Sequence, residues 1–296
     1  MDNKKIILVI PYRGIGDLIF HLPLLRGLYR KYKSKIIVIT NSSNKAKLIL
    51  KKEFSIKKIE YINFQREKQI KNSFLFLKKI NDFKADICVL TAPSRRLIIP
   101  LLMSNVKKKV FFKKDKIRDL SKYIIDQSIK TFEDINFIKK YDLKFSKTKI
   151  KGKKVFLSID SHHNQNNWRE DYFIKFTQKL LVKKKIKKIY INFSPNKKTE
   201  FQKILKKFSK DKKIHFTCGE KFGKIITIIN NCSFIVGNES GPACLGASMG
   251  KNVFSIYDPK HTPNLSSKII NKKITYLNSK KLNVNSIIRK LTSKIN

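Results

Sequence analysis

The chain reads as an α/β protein made of two doubly wound parallel-sheet units, and three observations predict it. Short β-branched apolar runs alternate with longer amphipathic segments along the 296 residues, the pattern of a parallel sheet covered by helices. The alternation lapses in a polar stretch, Lys139 to Lys154, which ends in Lys151-Gly152-Lys153-Lys154 and reads as an interdomain linker. The parts on either side, residues 1–145 and 153–296, each have ordinary domain size. Two such units facing each other would leave a cleft at the carboxyl ends of their sheets, where open α/β folds bind ligands.

Taken in order, strands are expected at Lys5 to Ile10, Lys35 to Thr40, Ile59 to Ile62, Ile87 to Thr91 and Lys108 to Phe112. Between them Leu18, Leu22, Leu25, Leu28, Tyr29 and Tyr32 recur at helical spacing, as do the apolar residues of Ile70 to Ile80. Pro23 either kinks the first of these helices or begins a fresh one. The second half offers strands at Val155 to Ile159, Lys188 to Phe193, Lys213 to Thr217, Phe234 to Val236 and Asn252 to Ile256. Helices fit Glu170 to Lys184, Lys197 to Ser209, Lys221 to Asn231, Pro242 to Met249 and Val284 to Lys294.

Composition bounds the partners. A formal charge of +46, from 67 Lys and Arg against 21 Asp and Glu, attracts polyanions, with nucleic acid the obvious candidate. The lysines, however, are spread in short runs such as Lys183 to Lys185, which equally describes a generally basic, solvated surface. Attraction to an anionic membrane face fits as well. Cys88, Cys218, Cys232 and Cys244 lie far apart with no CxxC pair, so neither a zinc site nor a disulfide framework is suggested, and a reducing cytoplasm is the expected compartment. The apolar runs Ile6 to Ile10 and Leu97 to Met103, the second interrupted by Pro100, are too short for a signal segment or a membrane span.

Three loops carry chemistry. In "YRGIGDLIFHLP", Tyr12 to Pro23, a strand ends, Arg13-Gly14-Ile15-Gly16 turns, and Asp17 lands at the start of a helix. Glycines let a ligand approach the backbone. Asp17 could simply cap the helix, or it could accept a proton from a substrate hydroxyl. The spacing is not GxGxxG, so no dinucleotide fingerprint is present. In the second loop, Gly237-Asn238-Glu239-Ser240-Gly241-Pro242 follows an apolar strand and precedes a helix of small residues. Pro242 suits the first helical turn, and the free amides near Ser240 and Gly241 would form an anion site for a phosphate or diphosphate. The alternative is an ordinary turn with Ser240 or Glu239 bonding those amides. The third loop, Asp160 to Trp168 ("DSHHNQNNW"), carries hydroxyl, imidazole and amide groups suited to phosphates and a sugar. His162 and His163 have no third ligand at metal spacing, so no metal is expected.

The first and second motifs together resemble glycosyltransferase family 9, the lipopolysaccharide heptosyltransferases. Gly14 to Asp17 with His21-Leu22-Pro23 is similar to that family's N-terminal motif, and Val236 to Pro242 through Gly250-Lys251 is similar to its donor-site turn. The resemblance implies a GT-B fold of two Rossmann-like domains, acceptor on the first and nucleotide-sugar on the second, the last helix packing back on the first domain in many members. It implies metal-independent inverting transfer with no cofactor beyond a nucleotide-sugar co-substrate such as ADP-heptose. By the same resemblance Asp17 is the general base beside Arg13, Gly14 and Gly16. Ser161, His162, Asn166, Glu239, Ser240, Gly241, Pro242 and Cys244 fall in the donor site. The chain departs from the family pattern at Asn166, where a lysine is usual, at Cys244, where a histidine is common, and mildly at Glu239 and Ser240.

The expected function is therefore transfer of a heptose-like sugar to a lipopolysaccharide core or other surface glycan or glycolipid, at the inner face of the cytoplasmic membrane. Three rivals stand beside it: a basic nucleic-acid-binding α/β protein, a GT-B epimerase acting on a sugar nucleotide, and a degenerate transferase kept for binding.

Overall fold

The computed structural model describes residues 4–64, 69–113, 120–137, 140–145, 153–160, 168–257, 273–278 and 283–293. The chain forms two compact units, Met1–Leu143 and Lys144–Asn296.

The first unit holds the strands β1 (Ile6–Ile10), β2 (Ile36–Thr40), β3 (Ile56–Tyr61), β4 (Ile87–Leu90) and β5 (Lys108–Phe111). They pair in the order β3-β2-β1-β4-β5, every pairing parallel. β1, β2 and β4 are continuous apolar runs and are buried throughout, as strands covered on both faces must be. Its helices are α1 (Ile15–Phe20), α2 (Leu22–Tyr32), α3 (Ala46–Ile49), α4 (Gln69–Asp82), α5 (Arg95–Leu102) and α6 (Leu120–Thr131). Phe76 and Ile80 of α4 and Leu97 and Leu101 of α5 pack on one sheet face against Ile7, Val9, Ile37, Ile39, Cys88 and Leu90. On the Pro23 alternative, the proline opens a new helix: it sits in the first turn of α2, with His21 as the joint after α1.

The second unit holds β6 (Lys153–Ser158), β7 (Ile186–Asn192), β8 (Ile214–Phe216), β9 (Phe234–Asn238), β10 (Asn252–Tyr257) and β11 (Ile274–Asn278), in the parallel order β11-β10-β9-β6-β7-β8. Its helices are α7 (Glu170–Leu181), α8 (Gln202–Phe208), α9 (Phe222–Asn230), α10 (Gly241–Ser248) and α11 (Val284–Thr292). Phe173, Phe176, Ile204, Ile287 and Leu291 cover one face of this sheet. α10 covers the other, where a Cβ on Gly246 would come within 2.6 Å of Ile235 Cγ1. That close helix–sheet contact is why small residues fill α10.

Several expectations are corrected. The stretch from Lys139 to Lys154 is not all linker. Tyr141 and Leu143 are buried, and the Arg26 guanidinium, paired to Glu53 at 2.7 Å, donates to the carbonyls of Lys140 (2.8 Å) and Asp142 (2.7 Å). Four residues rich in charge are thereby fastened to the first unit. Lys153 and Lys154 already belong to β6. α5, α6 and β11 were not expected, and the segment from Lys197 splits into a short 3₁₀ turn, Pro195–Lys197, and α8.

In each sheet the strand order reverses beside a central pair: chain direction turns between β1 and β4 in the first unit and between β6 and β9 in the second. Loops leaving the carboxyl ends of such a pair diverge to opposite sheet faces and leave a crevice. All three loops singled out from sequence leave these strands.

Candidate functional site

In the first unit β1 delivers the chain to Pro11 and Tyr12, and Gly14 becomes the N-cap of α1. Asp17, at the third helical position, folds back so that its Oδ2 accepts the Gly14 N–H at 3.0 Å. A Cβ on Gly14 would lie 2.6 Å from that same oxygen, so any larger residue there would push the Asp17 carboxylate off this position. The carboxylate thus satisfies one of the orphan amides of the helix start, as a capping-box residue does. Its other oxygen, Oδ1, has no hydrogen-bond partner among the described residues. Burial holds the Asp17 carboxyl above the ordinary carboxylate range, with the Gly14 amide pulling the other way. Capping therefore uses one oxygen of the group and leaves the other unengaged among the described residues.

Behind Asp17 lies a buried histidine. His21 Nδ1 lies 2.6 Å from the Asp17 carbonyl oxygen, which can only accept, so the proton is assigned to Nδ1. Nε2 lies 3.0 Å from the Thr91 hydroxyl, which also lies 3.1 Å from the Val9 carbonyl, and the single hydroxyl proton can go to either. Burial pushes the imidazole down to about 4, so it stays neutral and acts as a fixed strut between β4's end and the Asp17 backbone. The Tyr12 ring lies 5.4 Å from the His21 ring, its buried hydroxyl unpartnered among the described residues. The turn is braced by the loop after β2: Ser43 donates to the Arg13 carbonyl at 3.0 Å, and the buried Asn44 amide donates to the Tyr12 carbonyl at 3.3 Å. The Arg13 side chain is exposed, and Gly16 is the second residue of α1.

Beside this turn, in the crevice between β1 and β4, is a cavity of about 270 Å³. Pro11, Tyr12, Pro93, Ser94, Ser73 and Arg96 are among its lining residues. Drug-sized ligands occupy roughly 300–1,000 Å³, so this space suits a fragment of a larger molecule.

In the second unit the crevice between β6 and β9 is built from polar residues. Gly237 lies in register with Ser158, and a Cβ there would fall 2.0 Å from the Ser158 carbonyl oxygen. The buried Asn238 amide donates to the Ile159 carbonyl at 2.8 Å and accepts the Trp168 N–H at 2.8 Å. One side chain thus ties together the two ends of the Asp160-to-Trp168 loop. Asp160 accepts the Ser194 N–H at 2.8 Å and its hydroxyl at 2.5 Å. Trp168 itself is buried against Phe173 and Phe176.

Ser240 is the N-cap of α10, yet it makes no side-chain cap. Its hydroxyl lies 2.9 Å from the Ser158 hydroxyl instead. The amides of Ser240, Gly241 and Ala243 have no partner among the described residues, and Pro242 contributes none. The helix start is therefore left open, with its partial positive charge facing the crevice. The reading in which Ser240 or Glu239 satisfies these amides does not hold, because Ser240 is turned to β6 and the Glu239 carboxyl has no partner among the described residues. Burial pushes Glu239 up to about 7. Cys244 sits one turn in, its N–H donating to the Ser240 carbonyl at 3.2 Å, and its thiol is not in a disulfide. Ser161, His162 and Asn166 lie outside the described residues. Among the described residues no group of three or more His, Cys, Asp or Glu gathers as a metal-ligand set.

Sequence reasoning missed Ser158, Asn238, Asn44 and the strut role of His21. Ser158 and Asn238 carried a usable signal: each is a polar residue that follows an apolar run at the carboxyl end of a central strand.

The comparisons with known proteins follow this geometry. The whole chain superimposes on solved structures at low identity, and these likenesses show the fold. A glycosyltransferase family 9 structure from Veillonella parvula DSM 2008 matches with TM-score 0.82 and 14% identity, over 99% of this chain and 97% of that one. ADP-heptose lps heptosyltransferase II of E. coli matches with TM-score 0.77 and 12% identity, over 98% of each chain. E. coli heptosyltransferase WaaC, solved with ADP, matches with TM-score 0.70 and 11% identity, over 99% of this chain and 100% of that one. Among curated protein sequences none matches. The two units are thus the two domains of a GT-B fold. The family model for glycosyltransferase family 9 (heptosyltransferase) matches residues 112–291, more than half of the chain and all of the α10 turn, so the chain belongs to glycosyltransferase family 9.

Proposed function

We propose that the protein is an inverting transferase that moves a heptose-like sugar from a nucleotide-sugar to a hydroxyl of a lipopolysaccharide core or other surface glycan. Asp17 takes the proton of the acceptor hydroxyl. That oxygen bonds to the anomeric carbon as the bond from this carbon to the diphosphate breaks, and the nucleoside diphosphate leaves with the electron pair. The open start of α10 meets the negative charge the leaving group gains, with amides already in place and no reorganisation needed. Ser240, Gly241 and Pro242 form this turn, with Cys244 one turn in and Glu239 at its edge. Ser161, His162 and Asn166 belong to the adjoining loop by the family resemblance alone. The cavity between β1 and β4 would hold the end of the acceptor next to Asp17.

The observation that carries the reading is the uncapped α10 terminus, whose own serine is turned aside to Ser158. An unfilled set of amides on a short helix is a place for an anion. The E. coli relatives, described as an ADP-heptose heptosyltransferase and as a heptosyltransferase with ADP, support a nucleoside diphosphate there. The test is ADP release from ADP-heptose in the presence of a lipopolysaccharide core glycolipid. Asp17→Asn is expected to lower this turnover by roughly 10²–10⁴, the usual worth of a general base, while binding ADP as before. Full turnover in that variant would refute the role given to Asp17. Isomerised donor formed without acceptor would instead favour an epimerase.

A further inference from the structure

Large exposed apolar side chains are unevenly placed on this chain. Of the eleven among the described residues, six lie on α4, α5 and the residue that ends α5. The two helices lie side by side on one face of the first sheet. The Ser73 hydroxyl donates to the Arg96 carbonyl at 3.1 Å, and the Asn105 N–H donates to Asn81 Oδ1 at 2.9 Å. These two ties fix a parallel register that sets Phe74 level with Leu97 and Ile98. Phe76, Ile80, Leu97 and Leu101 turn to the sheet, which leaves the opposite side of both helices to solvent. There Ile70 is 76% exposed, Phe74 66%, Ile99 55%, Leu102 56% and Met103 65%.

Cations are threaded through these residues. Ile70, Phe74 and Lys78 follow one another at helical i, i+4 spacing on α4, and Arg95, Ile99 and Met103 do so along α5. Lys71, Lys78 and Arg95 are exposed and have no ion-pair partner among the described residues. Glu60 is engaged by Lys58 and Lys79 and Asp86 by Lys107, while Asp82, the last residue of α4, is exposed and forms no ion pair among the described residues. An outward surface of large apolar side chains interleaved with unpaired cations suits neither free solvent nor an ordinary core.

We propose that the outward face of α4 and α5 docks the protein on an anionic lipid bilayer, the apolar side chains entering the headgroup boundary while Lys71, Lys78 and Arg95 meet lipid phosphates. Charge selects this occupant. A second copy of a chain carrying +46 would set the same cations against each other across a two-fold interface. Nucleic acid would satisfy the cations but leave the aliphatic side chains without a partner, whereas an anionic bilayer takes both. The docked helices also line the cavity at the β1 turn, through Asn72 and Ser73 on α4 and Arg96 on α5. A lipid-borne acceptor would therefore reach that cavity from the membrane side. This last step rests on the transferase reading, and the docking does not.

The experiment is co-flotation of the full chain at physiological salt with phosphatidylcholine vesicles, with and without phosphatidylglycerol. The protein is expected to float with the mixed vesicles and not with phosphatidylcholine alone. Replacing Phe74→Gln together with Ile99→Gln, both exposed, should lower flotation by roughly tenfold or more, since two large side chains lose their burial. Lys78→Gln with Arg95→Gln should lower it and flatten its salt dependence. Val182→Gln, which removes an exposed apolar side chain of the second unit, should change nothing. Unchanged flotation of the Phe74 and Ile99 variant would overturn the proposal. So would loss of a dimer, or of binding to a structured RNA, in that variant, because either names a different occupant. ADP binding, followed separately, should be the same in all variants, so a failed docking result leaves the transferase reading to its own test.

Discussion

The turns after β1 and after β9 each lead from one strand of a central pair into a helix at the reversal of strand order, β1 being the first strand of its unit and β9 the fourth of its own, and the capping side chains of the two helices turn different ways. After β1 one amide of the helix start is engaged: Asp17 turns back onto the Gly14 N–H and holds a carboxylate there, while the amides of Ile15, Gly16 and Asp17 have no partner among the described residues. After β9 the helix start is uncapped: Ser240 bonds to Ser158, and the amides at the start of α10 are left for something else. One architecture thus presents a half-engaged carboxylate in the first unit and an uncapped helix start in the second, which under the proposed function take a proton and an anion. The difference rests on which way a single capping side chain turns. Glycine serves both turns, through close approach to the Asp17 carboxylate at Gly14 and to the β6 backbone at Gly237.

The comparison can be broken most severely at Gly237. With a Cβ placed 2.0 Å from a backbone oxygen that cannot step aside, Gly237→Ala should cost ~3 kcal/mol or more, read as a lower Tm or failure to fold. Gly14→Ala meets only the mobile end of Asp17 at 2.6 Å. It should displace the carboxylate and lose turnover while costing about 1 kcal/mol of stability. Asn238→Ala, which frees the Ile159 carbonyl and the Trp168 amide, should cost about 2–4 kcal/mol and weaken ADP binding. Asn238→Asp keeps an acceptor for Trp168 but no donor for Ile159, and should likewise destabilise.

The smallest effect concerns pH. Glu239 titrates near 7 in the folded chain, above its ordinary value of 4.5, so the stability it contributes is full below about 4.5 and is lost as pH rises through about 7. Glu239→Gln should therefore raise Tm more at pH 8 than at pH 5. It should also remove the weakening of ADP binding expected above pH 7, where the ionised carboxylate sits beside the anion site. His21 runs the other way: its folded value of about 4 lies below 6.5, so its contribution is complete above 6.5 and lost only as pH falls through 4.

Most of the fold was legible because its central strands are unbroken apolar runs and its longer helices keep their period. What escaped was shaped by tertiary contacts. β11, with the sequence ITYLN at the sheet edge, has too mixed a pattern to read as a strand, and α5 carries Pro100 inside it. Residues 140–143 look like linker until Arg26 is seen to hold their carbonyls. At the site, the glycines, Asp17 and the Ser240 turn could be found from strand-to-helix placement. Ser158 and Asn238 could not be assigned roles, because those depend on strands 79 or more residues apart being neighbours. Whether Asp17 caps or accepts a proton was undecidable by spacing, and the cap itself engages only one of its two oxygens.

The most direct test of the two helix starts is an ADP titration run beside turnover of ADP-heptose, on the wild type, Asp17→Asn and Gly241→Trp. The account predicts that Asp17→Asn binds ADP normally and turns over hardly at all, while Gly241→Trp, its indole standing on the open amides of α10, loses ADP binding and turnover together. ADP binding that survives in Gly241→Trp, or that disappears in Asp17→Asn, would contradict the assignment of proton and anion to separate units.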